Sequence, residues 1–209
     1  MRQAAPLTSL VLALTLTATL IACHSGSPKA TDDPEAKASL AAELAGYQAS
    51  VHTYKAHLHI SKPNSKDTAD LNMTAQLPDR YDLEGPGLSE LGIGHEIFVY
   101  EPGKGWVRGV GGPVVPVDPA ALFDNQTKVK RLGTKVMNGS QCVAYEVTVG
   151  VGPLPQETFC FTSDGVLVSF TLKTEASTGR FDYFDYGDPA IVVTPPPTFI
   201  NAPTPLPRQ

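Results

Sequence analysis

The chain of 209 residues lacks most of the features that announce a function. It has 3 cysteines and 1 tryptophan. No Gly-x-Ser-x-Gly, His-Glu-x-x-His or phosphate-loop pattern occurs in it, so the common sequence signatures of hydrolases, zinc proteases and nucleotide enzymes are missing. The formal net charge is −5, and no Lys/Arg cluster is present to track phosphates, which gives no reason to expect nucleic acid. Sulfur ligands are too few for a four-thiolate zinc site. Past the N-terminus no apolar run is long enough to cross roughly 30 Å of hydrocarbon. These absences leave a non-enzymatic protein without cofactor or metal, expected to be a monomer with one core-forming domain.

The N-terminus carries the strongest positive signal. Arg2 is the only charged side chain before Cys23, and the run Leu10-Val11-Leu12-Ala13-Leu14 follows it, continuing through Thr17 and Leu20. A basic residue, a short apolar stretch and small residues read as a secretory signal over residues 1–22. Leu20-Ile21-Ala22-Cys23 resembles the bacterial lipobox, where cleavage precedes a lipid-modified cysteine. Two acyl chains hold a protein on a membrane where one does so only marginally. Cys23 is thus the expected covalent anchor on the extracytoplasmic face of a bacterial membrane. Loss of Arg2 with the signal makes the mature formal charge −6, against −5 for the whole chain.

Cys142 and Cys160 then remain as an even pair in an oxidising compartment, which reads first as a disulfide, with free thiols or a metal pair as the competing readings. Val143, Tyr145, Val147 and Val149 alternate with Cys142, Ala144, Glu146 and Thr148, and Phe159 and Phe161 alternate with Thr158, Cys160 and Thr162. A hairpin centred on Val151 sets the two cysteines opposite each other on its polar face.

Residues 23–33 read as a lipidated tether. Asp33-Pro34 makes an N-cap with proline at the first helical position, and Ala36, Leu40, Leu44 and Tyr47 recur at helical spacing, which predicts a helix from about 34 to 50. Beyond it the period switches to two. Strands are expected around 54–60, 69–77, 80–84, 96–100, 106–108, 128–138, 141–149, 156–162, 166–175 and 179–186, with Ile191-Val192-Val193 as an edge strand. A glycine- and proline-rich loop covers 109–116 and is a candidate gate. Asp118 to Phe123 looks like a short capped helix, and residues 195–209 read as a disordered proline-rich tail. The fold class is α+β, mostly β: one curved antiparallel sheet, an incomplete barrel, wrapped around one or two helices.

Several segments in order resemble the LolA/LolB-like and LppX/LprG-like envelope lipoproteins. They are Val51-His52-Thr53-Tyr54-Lys55-Ala56 after the helix, Leu77-Pro78-Asp79-Arg80-Tyr81, and Tyr100 with Gly105-Trp106-Val107. Gly139-Ser140-Gln141-Cys142 follows, then Phe184-Asp185-Tyr186-Gly187 before Ile191-Val192-Val193. The resemblance covers about 34–194 and implies a half-barrel with an apolar cavity that binds acyl chains or lipidated proteins for transport through the envelope. One departure is the lipobox. The branch that shuttles lipoproteins is soluble, whereas this chain is expected to be anchored.

The apolar strand face supplies the candidate cavity lining: Tyr54, Leu58, Ile60, Leu71, Met73, Ile97, Val99, Tyr145, Val147, Phe159, Phe161, Phe170 and Leu172. The same residues serve equally well as an ordinary packed core, and a filled core belongs to the alternative function, a structural or interaction lipoprotein that carries nothing. His57 and His59 share one strand face with Lys55 and Ser61, which reads as solvated rather than metal-binding.

Overall fold

The computed structural model describes residues 32–110, 118–123, 127–148 and 155–202. The signal, Cys23, the tether as far as residue 31 and most of the 109–116 loop lie outside them. Helix α1 (Pro34–Ser50) begins where the Asp33 carboxylate accepts the amides of Glu35 and Ala36 at 3.1 and 3.0 Å. Ala36, Leu40, Leu44 and Tyr47 fall on one stripe and are all buried. Burying Leu40 and Leu44 contributes about 1.5–3 kcal/mol each. The helix stops at Val51, whose extended backbone leads into the first strand while its amide donates to the Tyr47 carbonyl at 2.8 Å.

Twelve strands follow: β1 (Thr53–Ser61), β2 (Thr68–Gln76), β3 (Arg80–Gly85), β4 (Leu88–Ile93), β5 (Glu96–Glu101), β6 (Gly105–Val110), β7 (Lys128–Met137), β8 (Ser140–Thr148), β9 (Gln156–Phe161), β10 (Leu167–Lys173), β11 (Thr178–Phe184) and β12 (Ile200–Asn201). They form a single open sheet in the order β12-β6-β5-β4-β3-β2-β1-β11-β10-β9-β8-β7. The pairings are antiparallel except β12 on β6, which is parallel, so the sheet is mixed rather than purely antiparallel. Between β6 and β7 one 3-10 turn (Pro119–Leu122) is capped by Asp118, whose carboxylate accepts the Ala120 amide. The incomplete barrel around a helix is the architecture expected from the strand pattern.

Alternation commits each strand to two faces. The inner face packs on α1. There Tyr54, Ala56, Leu58, Met73, Ala75, Tyr81, Leu83, Val129, Val147, Phe159, Phe161, Phe170 and Phe181 form one buried cluster with the helix stripe. The helix is tied down at its start by the Asp33 amide to the Val129 carbonyl at 3.0 Å, and by Lys37 Nζ to the Thr127 carbonyl at 2.8 Å. Near its end Gln48 donates to Asp118 at 2.9 Å.

The outer face departs from expectation in two places. Cys142 and Cys160 are bonded, with Cα atoms 5.5 Å apart, but the hairpin register differs by one residue from the expected centre. Ala144, not Cys142, pairs with Cys160, so the bridge runs diagonally. Nor is that face polar around the bridge. Both cysteines are buried with Ala144 and Val168, and Leu132 and Met137 pack on them. Register shifts in β7 and β10 fall at Leu132 and Val168, and such bulges re-aim side chains. Gly133, at φ +84°, supplies the left-handed residue beside the first of them.

The second departure is at the C-terminus. Ile191–Val193 do not form an edge strand, and the chain as far as Ala202 is not a free tail. It crosses the outer face as a strap. Val193 is buried against Leu91 and Phe98, with Ile93 and Trp106 packed on that cluster. The Val193 amide donates to Gln76 Oε1 at 3.2 Å and its carbonyl accepts from Arg80 at 3.1 Å. Phe199 meets Phe98 edge-on at 5.1 Å, Arg108 lies over the Phe199 ring, and β12 closes the strap onto β6. The local pattern also hid β4, whose Leu88-Ser89-Glu90-Leu91-Gly92-Ile93 mixes a buried acid and a glycine into the alternation.

That glycine is required. A Cβ on Gly92 falls 2.0 Å from Tyr81 Cε1, and Tyr81 is 1% exposed. Gly92→Ala is expected to cost about 1–3 kcal/mol in urea unfolding through overpacking. Gly46→Ala, in α1 with nothing within 4 Å of the added Cβ, should instead gain about 0.5–1 kcal/mol.

Candidate functional site

The inner face brings most of the expected lining residues together. Tyr54, Leu58, Leu71, Met73, Tyr145, Val147, Phe159, Phe161 and Phe170 are buried in the α1 cluster, and Ile60 and Leu172 pack at its margin half-buried. Register carries the row from strand to strand: Leu71 faces Leu58, Leu58 faces Phe181, Phe181 faces Phe170 and Phe170 faces Phe159. Ile97 and Val99 are on the same face, since they pair with Gly92 and Glu90, but they stand beyond the cluster and are half-buried. Val107, opposite Val99, continues this apolar strip to β6.

Four tyrosines gather where α1 meets β1 and β11. Tyr54 lies 5.1 Å from Tyr183 and 6.3 Å from Tyr186, and Tyr47 lies 6.4 Å from Tyr186, measured between ring centroids. The Tyr186 hydroxyl donates to the Leu167 carbonyl. The hydroxyls of Tyr47 and Tyr183 are buried with no hydrogen-bond partner among the described residues. Burial pushes both phenols well above their usual range, and the Asp118 carboxylate adds to the rise. Only Tyr54 of the four was among the expected lining residues. Tyr47 was legible through its helical spacing with Leu40 and Leu44, and Tyr183 through its alternation with Phe181.

Two buried acids enter this face, Glu90 on β4 and Glu157 on β9, which pairs in register with Val147 and Leu172 and is 3% exposed. Glu90 is 5% exposed and accepts the Tyr81 hydroxyl at 2.5 Å. Burial raises its pKa, and the Tyr81 hydrogen bond offsets part of the rise. The outer face over β1, β2 and β11 is polar instead. His57 bonds Asn72 at 2.8 Å and stacks on Phe184, His59 bonds Asp70 at 2.6 Å, and Arg180 pairs with Asp182. Among the described residues no group of three or more His, Cys, Asp or Glu side chains is placed to hold a metal ion.

No protein-family model matches the chain, and no curated protein matches it. Solved structures do. Lipoprotein LppX from Mycobacterium tuberculosis matches at 13% identity over 76% of this chain and 98% of its own, with a TM-score of 0.53. LprF from Mycobacterium bovis matches at 14% identity over 80% and 99%, with a TM-score of 0.54. The likeness is one of fold, and it is the fold that the sequence resemblance implied.

The unpartnered phenols give opposite expectations for two tyrosines of one cluster. Tyr47→Phe removes a buried hydroxyl without a partner and should raise stability by about 1 kcal/mol, whereas Tyr186→Phe loses a hydrogen bond and should lower it by about 1 kcal/mol. Urea unfolding reads both. Glu90 sets a pH dependence. Its folded pKa lies above the usual 4.5, so its contribution to stability is complete below that value and is lost as pH rises through the folded pKa. Glu90→Gln should therefore flatten the decline in stability as pH rises above about 4.5. An unchanged pH profile would show that Glu90 ionises as freely folded as unfolded.

Proposed function

We propose that this protein is a lipid-anchored envelope protein that binds acyl chains, of a lipid or of a lipidated protein, on the inner face of its half-barrel, without catalysis. Cys23 is the anchor in this reading. The observation that carries it is the cover of the inner face. A single helix of 17 residues covers the middle of a twelve-stranded sheet, and the apolar strip Ile97-Val99-Val107 is left half-buried at one end. The fold shared with lipoprotein LppX supports the same reading.

The described state is closed, with α1 seated in the space that a ligand would take. Lifting Leu40 and Leu44 out of the cluster costs on the order of 3–6 kcal/mol, and each ligand methylene buried in exchange returns about 0.8 kcal/mol. Roughly four to eight methylenes are needed before loading becomes favourable. Short acyl chains should therefore fail and long ones bind, and the half-buried strip at β4–β6 is where a chain would first partition. The tight burial of Tyr54, Leu58, Met73, Phe159 and Phe170 favours the second reading, a tethered docking domain with a permanently filled core.

Mass spectrometry of an organic extract from the Cys23→Ser protein separates the two. The carrier reading expects a stoichiometric lipid, or saturable uptake of fluorescent long-chain acyl probes with none for chains of about three carbons or fewer. An empty protein that takes up no acyl probe of any length leaves the docking domain as the function. The same Cys23→Ser substitution should release the protein from the membrane fraction.

A further inference from the structure

The strap leaves a cleft on the outer face, away from the surface assigned to acyl chains. It is an open cavity of about 330 Å³, lined by Thr74, Asp82, Leu91, Trp106 and the strap from Val192 to Pro197. That volume is at the lower end of small-ligand sites, about 300–1,000 Å³. Register builds its floor: Thr74 faces Asp82 and Asp82 faces Leu91, so the three side chains share a row across β2, β3 and β4. Trp106 makes an aromatic wall, held edge-on to Tyr100 at 5.6 Å. The covering segment Pro195-Pro196-Pro197 has no backbone N–H and brings only carbonyl acceptors.

The charge balance of the cleft is one-sided. Asp82 is half-buried and makes no hydrogen bond or ion pair with any described residue. Of the nearby cations, Lys55 pairs with Asp185 at 3.1 Å and Arg108 with Glu96 at 3.0 Å, while Arg80 is held by the Val193 carbonyl of the strap and is not among the lining residues. Burial, with Glu84 as a neighbouring like charge, raises the Asp82 pKa, as expected of a carboxylate that lacks a counter-ion. The lining residues thus include a carboxylate, two threonine hydroxyls and an indole, and no fixed cation. A hard metal ion needs about six oxygen ligands, and this floor has one carboxylate. An alkylated ammonium suits it better, because its charge meets Asp82 while its methyl or methylene groups lie against Trp106 and the prolines, with cation–π attraction to the indole.

We propose that this cleft binds an organic ammonium group, with Asp82 as its counter-ion and Trp106 as its aromatic wall. The group comes either from a small soluble cation or from the head group of a zwitterionic lipid. The site does not depend on acyl-chain binding and stands or falls separately from it.

Trp106 is the 1 tryptophan of the chain, so its fluorescence reports on the cleft without labelling. The Cys23→Ser protein is titrated with choline chloride against sodium chloride at equal ionic strength, and with phosphatidylcholine against phosphatidylglycerol vesicles. A saturable response to choline marks a soluble ligand. A response to phosphatidylcholine vesicles alone marks a lipid head group. Either upholds the site if Asp82→Asn weakens it by about tenfold or more. Trp106→Leu, followed by calorimetry, should weaken binding about fivefold and provides a second reading if the Asp82 variant folds poorly. No saturable response to any ammonium probe, or equal binding by Asp82→Asn, overturns the proposal.

Discussion

Every side chain on a strand faces one of two sides, and a sheet of twelve strands has more apolar surface than one helix can cover. The rest of this structure follows from that shortage. Four side chains of α1 fill the middle of the inner face, where the row from Leu71 through Leu58, Phe181 and Phe170 to Phe159 meets them. The helix contributes because it is tied at both ends, to Val129 and Thr127 at its start and to Asp118 near its finish. The inner strip on β4, β5 and β6 lies beyond its reach.

The outer face solves the same problem by dividing into zones. Over β7 to β10, two bulges turn Leu132 and Val168 toward the disulfide and make a small apolar cluster. Over β1, β2 and β11, the face is left to water, with exposed pairs such as His59–Asp70 that contribute roughly 0–1 kcal/mol each. Over β4 to β6, the C-terminal strap covers Leu91, Phe98 and Trp106. The apolar strip proposed for acyl chains and the acidic cleft proposed for an ammonium group therefore lie on opposite faces of one sheet. A lipid with an ammonium head group could not span both at once without passing around the sheet edge.

Two features of the inner core do not serve stability. Among the described residues Tyr47 and Tyr183 bury hydroxyls without partners, and Glu90 and Glu157 bury carboxylates. Each costs on the order of 1–3 kcal/mol, in a fold whose total stability is of the order of 5–15 kcal/mol. A core selected only for packing would place phenylalanine at the first two positions. Polar atoms kept at this expense accord with the proposed lifting of α1, which would let a hydroxyl beside the helix meet a ligand or water.

The sequence alone determined what is local. The Asp33-Pro34 cap and the 3.6-residue spacing set α1 from Pro34 to Ser50, and the two-residue period assigned Tyr54, Leu58, Met73 and Phe170 to one face. The cysteine pair was legible because two alternating strands flank a glycine- and proline-rich connection. Tertiary structure decided what covers each face. The bulges at Leu132 and Val168 interrupt alternation without any distinctive residue at those positions. The strap is a proline-rich segment, whose path is fixed by contacts with distant strands, among them Gln76, Arg80 and Phe98. Local periodicity states which way a side chain points. Whether it then meets a helix, a strap, a ligand or water depends on contacts made across more than a hundred residues, and those exist only once the sheet has assembled.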